Sequence, residues 1–398
     1  MRLMAIGLAV IGLLVAAASV QTFVGADRAL ARADANAAQL VRLQDVQTSL
    51  VRADADVTNA FLVGGLEPAE LRTDYDEAIS TAARQVTFAA EAQPADATVL
   101  ADLATQIQSY TGTVELARAN NRQALPVGAQ YLKNASAGLR ADSLPALAAL
   151  IDANETRVDV ELGNARNALW VSMAGALGLL ALVAAMVWLA RRTHRYLNLP
   201  MVAATTLLAV YLVVAITAMA GLSSAVRSAE LGPYAAARAL SEARIAAFDA
   251  KSNESLTLIA RGSGAAFEEA WQTASGTATE RLDEQAATDW TYGGTDPRDD
   301  WSAYVALHAD IRAADDGGDW DQAVALATSR EPGSANAAFA AFDETSTAAL
   351  DQAGADVTAA LDRPRGSTIV LALAGALVGL LVAALSWRGL GTRIEEYR

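Results

Sequence analysis

Cysteine is absent from the 398 residues, only two histidines are present, and aromatic residues make up 6%. Without a thiol there is no disulfide, no Fe–S centre and no cysteine nucleophile, and a structural zinc site loses its usual ligands. A cysteine-free chain is safe in either redox environment, so the compartment must be read from other features. Lys133 and Lys251 are the only lysines, and the other 28 bases are arginine; with heavy alanine use, this points to a GC-rich genome. Catalytic signatures are also missing: there is no Walker A loop, no G-x-S-x-G elbow, no H-E-x-x-H and no kinase or cyclase pattern. His308 has no second histidine nearby and His194 sits among arginines, so neither suggests a metal site. The expectation is a protein that is not an enzyme and needs no cofactor.

Apolar residues are plentiful. They make up 53% of the chain, against 19% charged residues and a net charge of −15. That is too apolar for an ordinary soluble protein and too charged for one built wholly in lipid. Four segments, 3–24, 168–190, 199–222 and 368–387, reach the roughly 20 apolar residues that cross a bilayer as helix. The first could be a cleaved signal peptide. Its long apolar run, single Arg2 before it and unbroken helical pattern after it make it a retained anchor.

Charge orients the spans. Arg2, the loop 191–198 and the tail 388–398 together hold seven bases and two acids, whereas 25–166 hold 12 and 19, and 223–366 hold 11 and 24. The positive-inside rule then places both termini and the loop in the cytoplasm of a four-pass plasma-membrane protein. The segments 25–167 and 223–367 become extracytoplasmic domains, too acidic to suit nucleic acid.

The chain repeats itself. Arg42–Gly65 aligns with Ala239–Gly262 without a gap, Tyr110 and Arg118 answer to Tyr304 and Arg312, and Ala174-Gly175-Ala176-Leu177 recurs as Ala374-Gly375-Ala376-Leu377. The offsets, all close to 200 residues, mark a tandem repeat of span, outer domain, span. Leu40, Leu43, Gln47, Leu50, Asp54, Val57 and Phe61 follow alternating three- and four-residue steps, a helical seam. Helices are predicted over 68–92, 96–122, 126–138 and 143 into the second span, then over 233–260, 264–289, 298–315, 319–329 and 334–362. Gly232-Pro233 and Arg363-Pro364-Arg365-Gly366 should break the second copy where the first runs on, as a fixed bend or as a hinge. The fold class is an all-α membrane protein: four transmembrane helices carrying two tandem extracytoplasmic four-helix bundles, paired as an intramolecular pseudo-dimer. Across such an axis the offset sets Asp54 beside Lys251, Arg52 beside Asp249 and Gln47 beside Arg244, either as a charged seam or as solvated surface.

Small residues at Ala174-x-x-x-Gly178 and Gly375-x-x-x-Gly379 suit close helix packing within the chain. No charged residue lies in a span core, which argues against a transporter. The tips carry Asn120, Asn121, Arg122 and Gln123 with Tyr131 in one copy, and Asp315, Asp316, Asp319 and Trp320 in the other. They read as a partner-docking surface or as plain turn chemistry. On the cytoplasmic side Arg191, Arg192 and Arg195 with Arg393, Glu395, Glu396, Tyr397 and Arg398 are the candidate output contacts.

Ala119-Asn120-Asn121-Arg122-Gln123, Pro126-Val127-Gly128-Ala129-Gln130-Tyr131-Leu132 and the terminal Arg393-Ile394-Glu395-Glu396-Tyr397-Arg398, with the duplicated plan, resemble the GlnX family. These are actinobacterial four-span membrane proteins of the pathway that includes the lipoprotein GlnH and the kinase PknG. The resemblance implies a non-enzymatic signal transducer in amino-acid sensing and nitrogen metabolism. Its partners would be an extracytoplasmic solute-binding lipoprotein, a cytosolic Ser/Thr protein kinase and the lipid bilayer. Two rivals stand beside it: a direct amino-acid sensor of chemoreceptor type, with Arg118, Arg122 or Arg312 facing a carboxylate, and a structural envelope scaffold.

Overall fold

The computed structural model describes residues 2–63, 67–193 and 198–396. Among them the structure is helical, with no strand. The helices are α1 (Arg2–Val63), α2 (Ala69–Ala92), α3 (Ala97–Asn121), α4 (Val127–Gly138), α5 (Leu144–Ala165), α6 (Leu169–Thr193), α7 (Leu199–Ala229), α8 (Ala235–Ile259), α9 (Ala265–Ala286), α10 (Pro297–Asp316), α11 (Trp320–Thr328), α12 (Ala335–Asp362) and α13 (Arg365–Glu396). The chain divides into an apolar unit (1–35, 157–229, 358–398) and a polar unit (36–156, 230–357).

The apolar unit holds four helices long and apolar enough to cross a membrane. Leu177, Leu180, Val213, Val370 and Leu373 are exposed on their outer faces, as lipid-facing residues would be. Glycine sets their spacing. A Cβ on Gly379 would lie 2.5 Å from the carbonyl oxygen of Gly12, and one on Gly12 would lie 2.7 Å from the backbone of Ala383 and Gly379. Helices α1 and α13 therefore cross backbone to backbone, which only small residues permit. Gly175 likewise receives Leu212, and Gly375 receives Tyr211 and Ser19.

Helix breaks differ from the sequence expectation. At Gly232-Pro233 the helix does not end: a π-helical turn over Glu230–Tyr234 joins α7 to α8. A second π turn, Leu139–Ser143, joins α4 to α5 just before Pro145, so the short helix of the first copy runs on into the next. The wider turn gives a proline ring room where a tight α turn would press it against the carbonyl four residues back. The first copy is also not free of a break. Helix α5 stops at Ala165, and Asn167 caps α6 through its side chain, Oδ1 accepting from the Leu169 N–H at 3.1 Å. Arg166-Asn167 and Arg363-Pro364, between α12 and α13, are related by the 197-residue offset of the Arg42–Gly65 repeat.

The polar unit has two cores. One gathers Leu43, Leu50 and Val57 of α1 with Tyr75, Leu103, Tyr110, Leu132 and Leu147 from α2 to α5. The other gathers α8 to α12 around Trp271, Trp301, Tyr304, Phe339 and Phe342, and it takes in Val51, Ala55 and Leu62 of α1. Helix α1 thus serves both cores from opposite faces. Helix α8 is buried on nearly every side although it carries Arg244, Lys251, Asn253 and Glu254. Those polar groups cannot reach water, so they must be matched inside.

Candidate functional site

Two buried acids organise the polar unit. Asp54 of α1 is fully buried and accepts from four donors: Tyr110 Oη at 3.1 Å, Ser136 Oγ at 2.6 Å, Ser252 Oγ at 2.6 Å and Arg140 at 2.8 Å. Arg140, on the π turn Leu139–Ser143, also meets Asp249 at 2.6 Å. Burial works against its charge, but Asp54 and Asp249 more than offset this and hold it above the ordinary guanidinium range. Burial, with Asp54 adding to it, pushes the Tyr110 phenol well up.

Glu254 of α8 is the second hub. It accepts from Lys251 at 2.6 Å and Tyr304 at 3.1 Å, and it meets His308 Nδ1 at 2.8 Å. The imidazole is stacked on Trp271 with ring centroids 3.5 Å apart, and its Nε2 faces Glu268 at 3.4 Å. Burial opposes the charge on Glu254, yet Lys251 and His308 hold its carboxyl down at about 2. His308 is raised: burial lowers it, but Glu254 and Glu268 outweigh that. In both copies the tyrosine that the repeat equates, Tyr110 or Tyr304, donates to the hub acid.

Several cavities open in the polar unit. Near the end of α3, about 210 Å³ is lined by Glu67, Arg72, Arg118 and Arg122. At the matching place in the second copy, about 810 Å³ is lined by Glu268, Glu269, Asp315 and Asp316 with Arg261 and Arg312. The same place is basic in one copy and acidic in the other. The third, about 330 Å³, lies where α1 and α2 meet α8 and α12. Among the described residues no group of three or more His, Asp or Glu could hold a metal ion.

The expected seam pairs are re-partnered. Asp54 takes Arg140 and Ser252 rather than Lys251, because Lys251 is closed onto Glu254 one turn along its own helix. Arg52 reaches Asp343 at 3.2 Å and Asp56 at 3.9 Å rather than Asp249, which Arg140 holds. Arg244 engages Asp343 and Ser346 rather than the half-buried Gln47. α12 supplies the competing acid in both cases.

At the tips, Asn120 and Gln123 bond back to Leu116 and Ala119 and close the end of α3, while Asn121 and Arg122 line the basic cavity. Tyr131 packs against the first core. Asp315 and Asp316 hold Arg312, Asp319 caps α11, and the Trp320 indole donates to Leu258 O at 2.9 Å under the Arg261 guanidinium. Arg191 and Arg192 are exposed at the end of α6, with Arg192 near the Trp188 ring. Arg393, Glu395 and Glu396 lie on the last turns of α13; Arg195, Tyr397 and Arg398 lie outside the described residues.

Sequence reasoning missed Arg140, Glu254 and the role of His308. A signal was present: Tyr304, His308 and Arg312 recur every four residues on one face of α10, a polar stripe that needs buried partners.

The architecture is that of an all-helical protein with four candidate membrane spans. Within it, residues 25–163 match the family model described as an actinobacterial sensor domain. That match supports a sensor-type protein with a sensing or signalling role. No curated protein and no solved structure matches the chain.

Proposed function

We propose that the chain is a non-enzymatic transmembrane signal transducer that relays the state of an extracytoplasmic amino-acid-binding lipoprotein to a cytosolic Ser/Thr kinase. The sensor-family match over 25–163 carries this reading. The finer steps rest on the residues resembling the GlnX family and on the arginine-rich short segments, which orient the polar unit outward. In this reading the polar unit is a pseudo-dimer of two bundles in one polypeptide, joined through α1 and α8, and the tip residues 120–123 and 315–320 receive the lipoprotein. The output side is the loop 191–198 and the tail.

Crosslinking of the full-length protein in its native membrane, with and without added amino acids, tests the relay. Capture of a solute-binding lipoprotein and a Ser/Thr kinase is the expected result. If neither is captured under any condition, the relay is wrong.

A second reading, direct binding of a small carboxylate, draws support from the basic cavity. Arg72, Arg118 and Arg122 line it with Glu67, although Arg118 pairs with Glu67 and Glu115, and Arg72 with Glu115 and Asp76. A dicarboxylate that binds the full chain and is lost with Arg122→Ala would favour it.

A further inference from the structure

The acidic cavity of the second copy holds charge that its own lining does not match. Four acids, Glu268, Glu269, Asp315 and Asp316, share about 810 Å³ with two bases, Arg261 and Arg312. Arg312 is divided among Glu268 at 3.4 Å, Asp315 at 2.6 Å and Asp316. Arg261 lies over the Trp320 ring, 3.9 Å from its centroid, and among the described residues it makes no ion pair. Glu269 makes none either. The space is of the size that takes small ligands.

These carboxylates are open to solvent. Glu269 is exposed, and Asp316 leaves 70% of its side chain uncovered. Glu268 turns Oε1 to the surface, where Gln272 donates to it at 3.2 Å.

The other oxygen of Glu268 faces inward. Its Oε2 stands 3.4 Å from His308 Nε2, and neither atom makes a hydrogen bond. His308 is 2% exposed, and its Nδ1 meets Glu254 at 2.8 Å. A neutral imidazole has one N–H and one lone pair, so one of the two carboxylates would face the lone pair. Only the imidazolium serves both. The charged and titratable groups around the ring are Glu254 and Lys251 of α8, Glu268 of α9, and Tyr304 and Arg312 of its own helix. Lys251 and Arg312 are each closed onto acids. A cation entering the cavity therefore competes with His308 for Glu268.

We propose that this cavity binds an organic dication of the diamine or polyamine class across Glu269, Asp316 and the outer oxygen of Glu268, and that binding drives a proton from His308 to the solvent. Separate ammonium groups on a carbon chain suit carboxylates spread around an open space. Glu254 and Glu268 hold the imidazole above its usual range against burial. The exchange then falls on the alkaline side of 6.5, and binding tightens as pH rises through the raised value. The site does not rest on the relay reading, since binding is read on the purified chain with no partner present.

The full-length protein in phosphatidylcholine nanodiscs, whose lipid carries no net charge to attract amines, would be titrated calorimetrically with putrescine, butylamine and succinate, with empty nanodiscs as the blank. Putrescine is expected to bind, butylamine more weakly and succinate not at all. From about pH 6.5 to about 8 the ammonium groups keep their protons, so tightening over that range reports on the protein. Buffers of different ionisation enthalpy should show a proton released. Glu269→Gln with Asp316→Asn should weaken binding at least tenfold, whereas His308→Gln should keep the binding and lose its pH dependence. If His308→Gln fails to fold, the proton count on the unaltered chain decides. No putrescine binding at millimolar concentration, butylamine or succinate binding as tightly, affinity unmoved by the paired variant, or affinity constant with pH would overturn the proposal.

Discussion

Asp54 shows what one buried charge demands. It sits at no solvent exposure and is matched by four donors drawn from α3, α4, the π turn Leu139–Ser143 and α8. Removing it takes one of two acids from Arg140, which keeps Asp249, and leaves three hydroxyl groups without their acceptor; breaking a buried pair costs about 3–5 kcal/mol. Asp54→Ala should therefore lower stability to urea by that amount, read by tryptophan fluorescence of the full chain in detergent. Asp54→Leu with Arg140→Met should recover part of it, since the buried pair then goes as a whole and Asp249, which loses Arg140, is only partly buried. The Glu254 hub makes stability depend on pH at both ends. Its depressed carboxyl contributes stability above the usual 4.5 that is lost as pH falls through about 2. His308 is raised, so folded chains hold its proton where unfolded chains have released it. Its contribution is full below 6.5 and fades as pH rises through the raised value. His308→Gln should flatten the loss of thermal stability on the alkaline side of 6.5, and an unchanged slope would exclude the histidine as its source.

At the scale of helices, glycine has two opposite meanings. Gly379 sits where backbone meets backbone, with no room for a Cβ. Gly379→Leu should drive α1 and α13 apart and lower the melting temperature of the detergent-solubilised chain. Gly112, exposed in α3, has nothing within 4 Å of where a Cβ would go. Gly112→Ala should stabilise the chain by about 0.5–1 kcal/mol, through backbone entropy alone. Both are measurable by the same melt. Helix positions were largely legible from the sequence, because prolines, glycines and apolar spacing punctuate the chain strongly. The π turns were not. A proline reads as a break in a 3.6-residue frame, and only the packing decides whether the turn widens instead of ending. Leaving 139–142 between two predicted helices hid Arg140, which lies on the π turn Leu139–Ser143. His308 escaped notice because the search for metal ligands looks for a second histidine, and its real partners, Glu254 and Glu268, are carboxylates on other helices.

For the molecule as a whole, the 197-residue repeat was plain in the sequence, but the divergence of its copies was not. Asp315, Asp316, Glu268 and Glu269 converge on a cavity whose counterpart is lined by Arg72, Arg118 and Arg122; only folding reveals that these scattered charges share a place. The sharing of α1 between two cores has a further consequence, for the order in which the chain is made. Asp54, Val51, Ala55 and Leu62 are synthesised long before Ser252 and the rest of α8 that cover them. At ribosomal rates of about 5–20 residues per second, the wait is on the order of ten seconds. During that interval the emerging first copy exposes an apolar stripe with a carboxylate in its middle, a surface that a chaperone holding nascent chains would find and release only when α8 arrives. A chain stopped after residue 193 should then bind a hydrophobic dye and chaperones strongly, while the full chain binds neither. If the shortened chain stayed clean, the first copy would have to complete its own fold without the second.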